Sequence, residues 1–130
     1  MDLEDVRLLG SALTRQIISC AIAVHKELGP GLLEGAYRAC LAYELRRCSL
    51  PVACEVEIPI AYRGTSVECG FRADLIVDNR VIIEVKSVDR LLPVHAAQVL
   101  TYLKLARMRV GLLLNFNVTK LPDGLRRIVL

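Results

Sequence analysis

"DLIVDNRVIIEVKSV", residues 74–88, is the stretch on which the reading of the fold turns. Two runs rich in β-branched residues flank Asp78-Asn79-Arg80, and Asn tolerates the left-handed backbone that a tight hairpin loop needs. With Val77 opposite Val81, Arg72 faces Lys86, Asp74 faces Glu84 and Ile76 faces Ile82 on one side of the hairpin. Ala73, Leu75, Val77, Val81, Ile83 and Val85 share the other side, which reads as core. The first side then holds two carboxylates with Cβ atoms about 5 Å apart, where like charges destabilise a sheet. Lys86 supplies part of the countercharge, and a divalent cation between the carboxylates would supply it more fully. An all-oxygen donor set of this kind suits Mg²⁺ or Mn²⁺. The competing reading is a solvent-facing surface on which Arg72 pairs with Asp74, or Glu84 with Lys86, each pair contributing about 1 kcal/mol or less.

Outward from the hairpin, the pattern predicts the element order ααβββαββ. Ile17, Ile18, Ala21, Ile22, Val24 and Leu28 recur at helical spacing over 13–28, and Gly29-Pro30-Gly31 ends that helix. A second helix over 32–47 carries Leu33, Ala36, Tyr37, Cys40, Leu41 and Leu45 as its apolar stripe. After Pro51, residues 52–62, 66–77 and 81–88 read as an antiparallel meander, with Arg63-Gly64-Thr65 as a further turn. Helical spacing returns over 93–107, "VGLLLNF" (110–116) is a strand covered on both faces, and 125–130 forms a last short strand. Helices on a mixed central sheet make an α/β fold of the α+β sandwich type, with the carboxylate face covered by the two N-terminal helices.

Length and composition agree. The chain has 130 residues, 54% of them hydrophobic, enough for one packed domain over 1–130. Its apolar runs are too short to span a bilayer, and "MDLEDVRLLG" is acidic where a secretion signal would be basic, which points to a cytoplasmic protein without a membrane partner. The five cysteines are odd in number and form no CxxC, so they read as small buried hydrophobes. A formal charge of +3 permits an anionic partner. Arg46-Arg47, Lys104-Arg107-Arg109 and Arg126-Arg127 are either phosphate-contacting clusters or solvated faces. Four Tyr, two Phe and no Trp leave little for a base-stacking platform.

An acid followed at a short interval by E-x-K on a strand, here Asp74 and Glu84-Val85-Lys86, resembles the PD-(D/E)XK nuclease superfamily, with Ala73 standing where the superfamily's name has proline. "GFRAD" (70–74) and "QVLTY" (98–102) resemble its exonuclease branch. "GLLEGAY" (31–37) fits the signature of the GxxExxY protein family, and blocks in the same order extend the likeness over about 16–129. The resemblance implies a restriction-endonuclease-like core and Mg²⁺- or Mn²⁺-dependent hydrolysis of phosphodiester bonds in DNA or RNA. Asp74, Glu84 and the Val85 carbonyl would be metal ligands, and Lys86 would act on water or on transition-state charge. Glu34, three and seven residues from Tyr37 and Leu41, leans toward the apolar stripe of its helix, where it is either a third metal-binding acid or a charge complementing the helix N-terminus. Gln98 and Tyr102 share a helical face and are either supports for Lys86 or a phosphate, or ordinary packing; Arg72 and Tyr37 join them as supporting residues. His25 and His95 read as core and capping residues, with His25 also a candidate for supporting the site. The alternative function is a non-catalytic nucleic-acid- or protein-binding module that keeps the fold, and so small a chain leaves room for a homo-oligomer or protein partner to select the substrate.

Overall fold

The structure is a computed structural model that describes residues 11–130; the acidic N-terminal stretch read above lies outside the described residues. Helix α1 (Ala12–Leu28) starts where Ser11 accepts a hydrogen bond from the Thr14 amide at 3.3 Å, and it ends at Gly29, whose φ of 67° suits a residue without Cβ. Helix α2 (Glu34–Arg47) follows. Strands β1 (Val52–Glu57), β2 (Ile60–Tyr62), β3 (Thr65–Val67), β4 (Arg72–Val77) and β5 (Val81–Lys86) lead to helix α3 (Pro93–Ala106), strand β6 (Val110–Asn115), a 3₁₀ turn at Leu121–Gly124 and strand β7 (Leu125–Val129).

The predicted three-strand meander is corrected in one respect. The stretches 52–62 and 66–77 are each broken in two: β2 and β3 form a separate two-stranded hairpin, while β1 and β4 enter a five-stranded sheet of order β1-β4-β5-β6-β7. Pro59 explains the break on the first side, because it has no N–H to give a ladder; on the second, Gly70 takes φ 77°. The β4–β5 hairpin has the predicted register, with Leu75–Ile83, Ile76–Ile82 and Val77–Val81 paired and Asp78 and Asn79 at φ 52° and 51°. Strands β5 and β6 run parallel through α3, and the other neighbours are antiparallel.

Both faces of the sheet are covered. Leu75, Val77, Val81, Ile83, Val85, Leu112 and Leu114 pack against Leu13, Ile17, Ala21, Tyr37, Leu41 and Leu45 of α1 and α2. Ile76, Ile82 and Leu113 pack against Val99, Tyr102 and Leu103 of α3, and Ala73 joins this layer instead of the one its alternation predicted. The apolar stripe of α2 is also narrower than predicted: Tyr37, Leu41, Ala42 and Leu45 are buried, whereas Leu33, Ala36 and Cys40 are exposed. Among the cysteines only Cys20 is buried; Cys40, Cys48, Cys54 and Cys69 are exposed, which corrects their reading as core residues. They occupy the outer side and end of α2, the edge strand β1 and the loop before β4, none of which another layer covers. Among the described residues no helix is long and apolar enough to cross a membrane.

Candidate metal and phosphate site

Asp74 and Glu84 meet where the β4–β5 ladder opens. The paired positions stop at Leu75 and Ile83, and beyond them side chains take over the role of backbone carbonyls. The Asp74 amide donates to Glu84 Oε1 at 3.0 Å, and the Val85 amide donates to Asp74 Oδ2 at 2.8 Å. The β1–β4 register skips the same place, leaving Glu55 opposite Asp74 without a ladder pair, and Glu55 sits at φ 49°. A non-glycine residue in that region costs on the order of 1–3 kcal/mol and needs its surroundings to hold it there. The strained backbone therefore coincides with the acid pair.

Glu84 is 4% exposed, and its carboxyl pKa is pushed up from 4.5 to about 8, first by burial and then by the charge of Asp74. Lys86, half-buried at the end of β5, acts in the opposite sense on Glu84. By strand alternation Glu84 lies with Ile82 on the face that α3 covers, and its charge, after burial itself, raises the pKa of the Tyr102 hydroxyl. This corrects the expectation that the N-terminal helices cover both carboxylates: α3 and not α1 or α2 covers Glu84, whereas Asp74, beside the point where Ala73 leaves its predicted layer, is reached by α2. Sequence alternation defines two faces but not which helix closes each. What α2 does contribute is Arg38, whose Nη1 is 3.5 Å from Asp74 Oδ1 and whose Nη2 is 3.5 Å from Glu55 Oε1.

The other residues singled out by the sequence fall into place as follows. Gln98 Nε2 donates to the Tyr102 hydroxyl at 2.8 Å, and the Tyr102 ring lies 5.8 Å from that of Phe71, so this pair forms part of the packed layer beside Glu84. Arg72 is 3.8 Å from Glu57 across β1 and β4 in an exposed pair. Glu34 is the first residue of α2 and is half-exposed. Among the described residues no group of three or more His, Cys, Asp or Glu side chains stands close enough to hold a metal, so Glu34 is not gathered with the other two acids. His95 accepts from the Leu92 amide at 3.0 Å and caps α3. His25 Nε2 bonds the Val118 carbonyl at 2.7 Å in the α1 layer, away from the acid pair.

Tyr37 has a role in placing the start of α2. Its hydroxyl donates to the Gly29 carbonyl at 2.5 Å and accepts from the Leu32 amide at 3.1 Å, while its ring stacks on Phe116 with centroids 4.6 Å apart. The Ser87 hydroxyl in turn donates to the Leu32 carbonyl at 2.5 Å. The loop that carries Glu34 is thereby tied to the residue next to Lys86. Tyr37→Phe keeps the ring and removes both hydroxyl bonds, so it is expected to cost about 1–2 kcal/mol in a urea-unfolding measurement while leaving the fold unchanged; an unaltered midpoint would show that the tie contributes nothing.

Arg38, Glu55 and Asn115 were not identified from the sequence. Arg38 was accessible in principle, being four residues after Glu34 on the same helical stripe. Glu55 was not, because nothing in "CEVEI" announces a left-handed residue. Buried Asn115 bonds both the amide and the carbonyl of Val88, at 3.1 and 2.9 Å, and fixes the chain just beyond Lys86.

The donor chemistry fits a hard divalent cation. Two carboxylates are held together at a buried position, and the proton that Glu84 retains is the one a cation would displace. The Val85 carbonyl shares this opening by strand geometry, since a residue's N–H and C=O point to the same edge and the N–H meets Asp74. An opened hairpin bearing paired acids and a following lysine, in a mixed sheet between helical layers, is the framework of a nuclease-type domain. The family model described as PD-(D/E)XK nuclease superfamily matches residues 11–128, and the chain belongs to that superfamily. No curated protein and no solved structure matches it.

Proposed function

We propose that the chain is a divalent-metal-dependent nuclease of the cytoplasm, hydrolysing phosphodiester bonds in DNA or RNA, and that it represents the GxxExxY branch of its superfamily. The observation that carries this reading is the acid pair itself: a nearly buried glutamate, protonated to about pH 8, in contact with a second carboxylate at a break in the sheet. Among the described residues no arginine or lysine makes a direct ion pair with Glu84; Lys86 acts on it from the end of β5, and the arginine of the site reaches Asp74.

Asp74, Glu84 and the Val85 carbonyl would hold Mg²⁺ or Mn²⁺. Glu34, at the start of a helix whose preceding loop is anchored to Ser87, stands apart from this pair and would complete the set as a third acid only by moving toward it. When bound, the cation supplies Lewis-acid polarisation of the phosphate and acidification of water. Lys86 orients the attacking water or stabilises charge developing on the phosphate. Tyr102, kept neutral by burial and by Glu84, holds its layer in place beneath the carboxylate and offers a hydroxyl rather than a phenolate. Arg38 offsets the charge of Asp74 until the cation does so.

The Arg38 contact also favours a second reading. A guanidinium already beside Asp74 is the countercharge that a non-catalytic nucleic-acid- or protein-binding module would retain in place of a metal. The deciding experiment offers single- and double-stranded DNA and RNA to the purified chain with Mg²⁺ or Mn²⁺ at several pH values. Metal-dependent cleavage of any of the four supports the nuclease; binding without cleavage supports the module.

A further inference from the structure

Cys20, in the middle of α1, and Cys48, which caps the C-terminus of α2, lie 28 residues apart in sequence with their sulfurs 3.7 Å apart. Cys20 is 6% exposed and Cys48 is exposed, so one thiol is open to solvent reagents and the other waits behind it. Glu44, one turn before Cys48, is the charged group whose field reaches Cys20, and it forms an ion pair with Arg47 at 3.7 Å. We propose that Cys20 and Cys48 are a peroxide-sensitive thiol pair that closes reversibly into a disulfide linking α1 to the end of α2.

The division of labour follows from burial. The Cys48 thiolate is the group that attacks hydrogen peroxide: its sulfur takes one oxygen, the O–O bond breaks, and the departing hydroxide leaves as water after taking up a proton. This yields a sulfenic acid on Cys48. The Cys20 sulfur then attacks the Cys48 sulfur, the S–O bond breaks, and hydroxide departs with the Cys20 proton as a second water. Two thiols and one peroxide give one disulfide and two waters. Burial pushes the Cys20 thiol up to about 12, so Cys20 stays a thiol while Cys48 reacts with peroxide, and it gives up its proton only as its sulfur attacks the sulfenic acid held 3.7 Å away.

The sulfurs must close from 3.7 Å to about 2.0 Å. The Cys48 side can supply that movement, because it is a helix terminus running into a turn in which Ser49 already takes φ 61°, whereas Cys20 is held within a helix. The link is independent of the nuclease reading, since neither sulfur touches Asp74, Glu84 or Lys86.

The test treats the purified chain with hydrogen peroxide, alkylates the remaining thiols and maps the products by peptide mass spectrometry. The expected product is a Cys20–Cys48 cross-linked peptide 2 Da lighter than its parts, with Cys40, Cys54 and Cys69 alkylated and the link reversed by dithiothreitol. Because the cross-link closes a loop of about 30 residues, oxidation should raise Tm by roughly 5–15 °C. Cys48→Ser, at an exposed position, should abolish both the link and the shift. Cys20→Ser should leave a Cys48 sulfenic acid that dimedone traps. Recovery of both cysteines alkylated after treatment, linkage through other cysteines, or an unchanged Tm in the cross-linked chain would overturn the proposal.

Discussion

Lys86→Ala is expected to lower the rate of phosphodiester cleavage by roughly 10³-fold or more while leaving cation binding intact. The ammonium is half-buried at the end of β5, beside Glu84 but outside the set of oxygen donors, so its loss removes charge from the reaction without removing a ligand. Glu84→Gln, by contrast, is expected to lose both cleavage and the response to Mn²⁺, because an amide cannot supply the negative oxygen a hard cation prefers. The measurement pairs cleavage assays with melting curves in Mn²⁺. Undiminished cleavage by Lys86→Ala would remove lysine from the mechanism, and retained Mn²⁺ stabilisation in Glu84→Gln would move the cation elsewhere.

The second large effect is on stability and needs no substrate. In the folded chain Glu84 keeps its proton to about pH 8, while in the unfolded chain it releases it near the ordinary 4.5. Between those values the folded state binds more protons, so a rise in pH favours unfolding. The stabilisation that goes with the neutral carboxyl is complete below about pH 4.5 and lost as pH passes about 8. In a chelator, wild-type Tm should therefore fall from pH 5 to pH 8.5. Glu84→Gln, which stays neutral, should show a flatter profile and exceed wild type at pH 8.5 by roughly 5–10 °C. Millimolar Mn²⁺ should restore the wild-type Tm at that pH and leave the variant unmoved. Parallel profiles for the two chains would mean that Glu84 is not a buried protonated acid.

The parts of this arrangement that the sequence carried are those governed by local chemistry. Asn79 accepts left-handed backbone, the flanking residues are β-branched, and together they set a register that brings Asp74 toward Glu84, with Asp78 joining Asn79 at positive φ. Helix ends were equally readable at Gly29 and at Pro93, the first residue of α3, whereas the Ser11 cap was not identified. What was lost depends on distant partners. Alternation separated the faces of the hairpin but could not say that α3, instead of α1 and α2, would lie over Glu84. The break at Pro59 was visible as a residue, yet a proline at a strand edge is tolerated, so it did not by itself demand a separate hairpin. Arg38 reaches Asp74 across 36 residues, a relation no local pattern encodes.

The opening of the ladder at Asp74 has a spectroscopic consequence. The amides of Asp74 and Val85 are held by carboxylate oxygens, where their neighbours in β4 and β5 are held by peptide carbonyls. Peptide carbonyls have no ionisable proton, whereas the Glu84 carboxyl that holds the Asp74 amide loses its proton as pH passes about 8. Deuterium exchange at the two amides is therefore expected to follow the state of the acid pair, while exchange at Ile76 and Ile82 follows the sheet. The protein thus contains two backbone reporters of its own site, readable by NMR with no nucleic acid present.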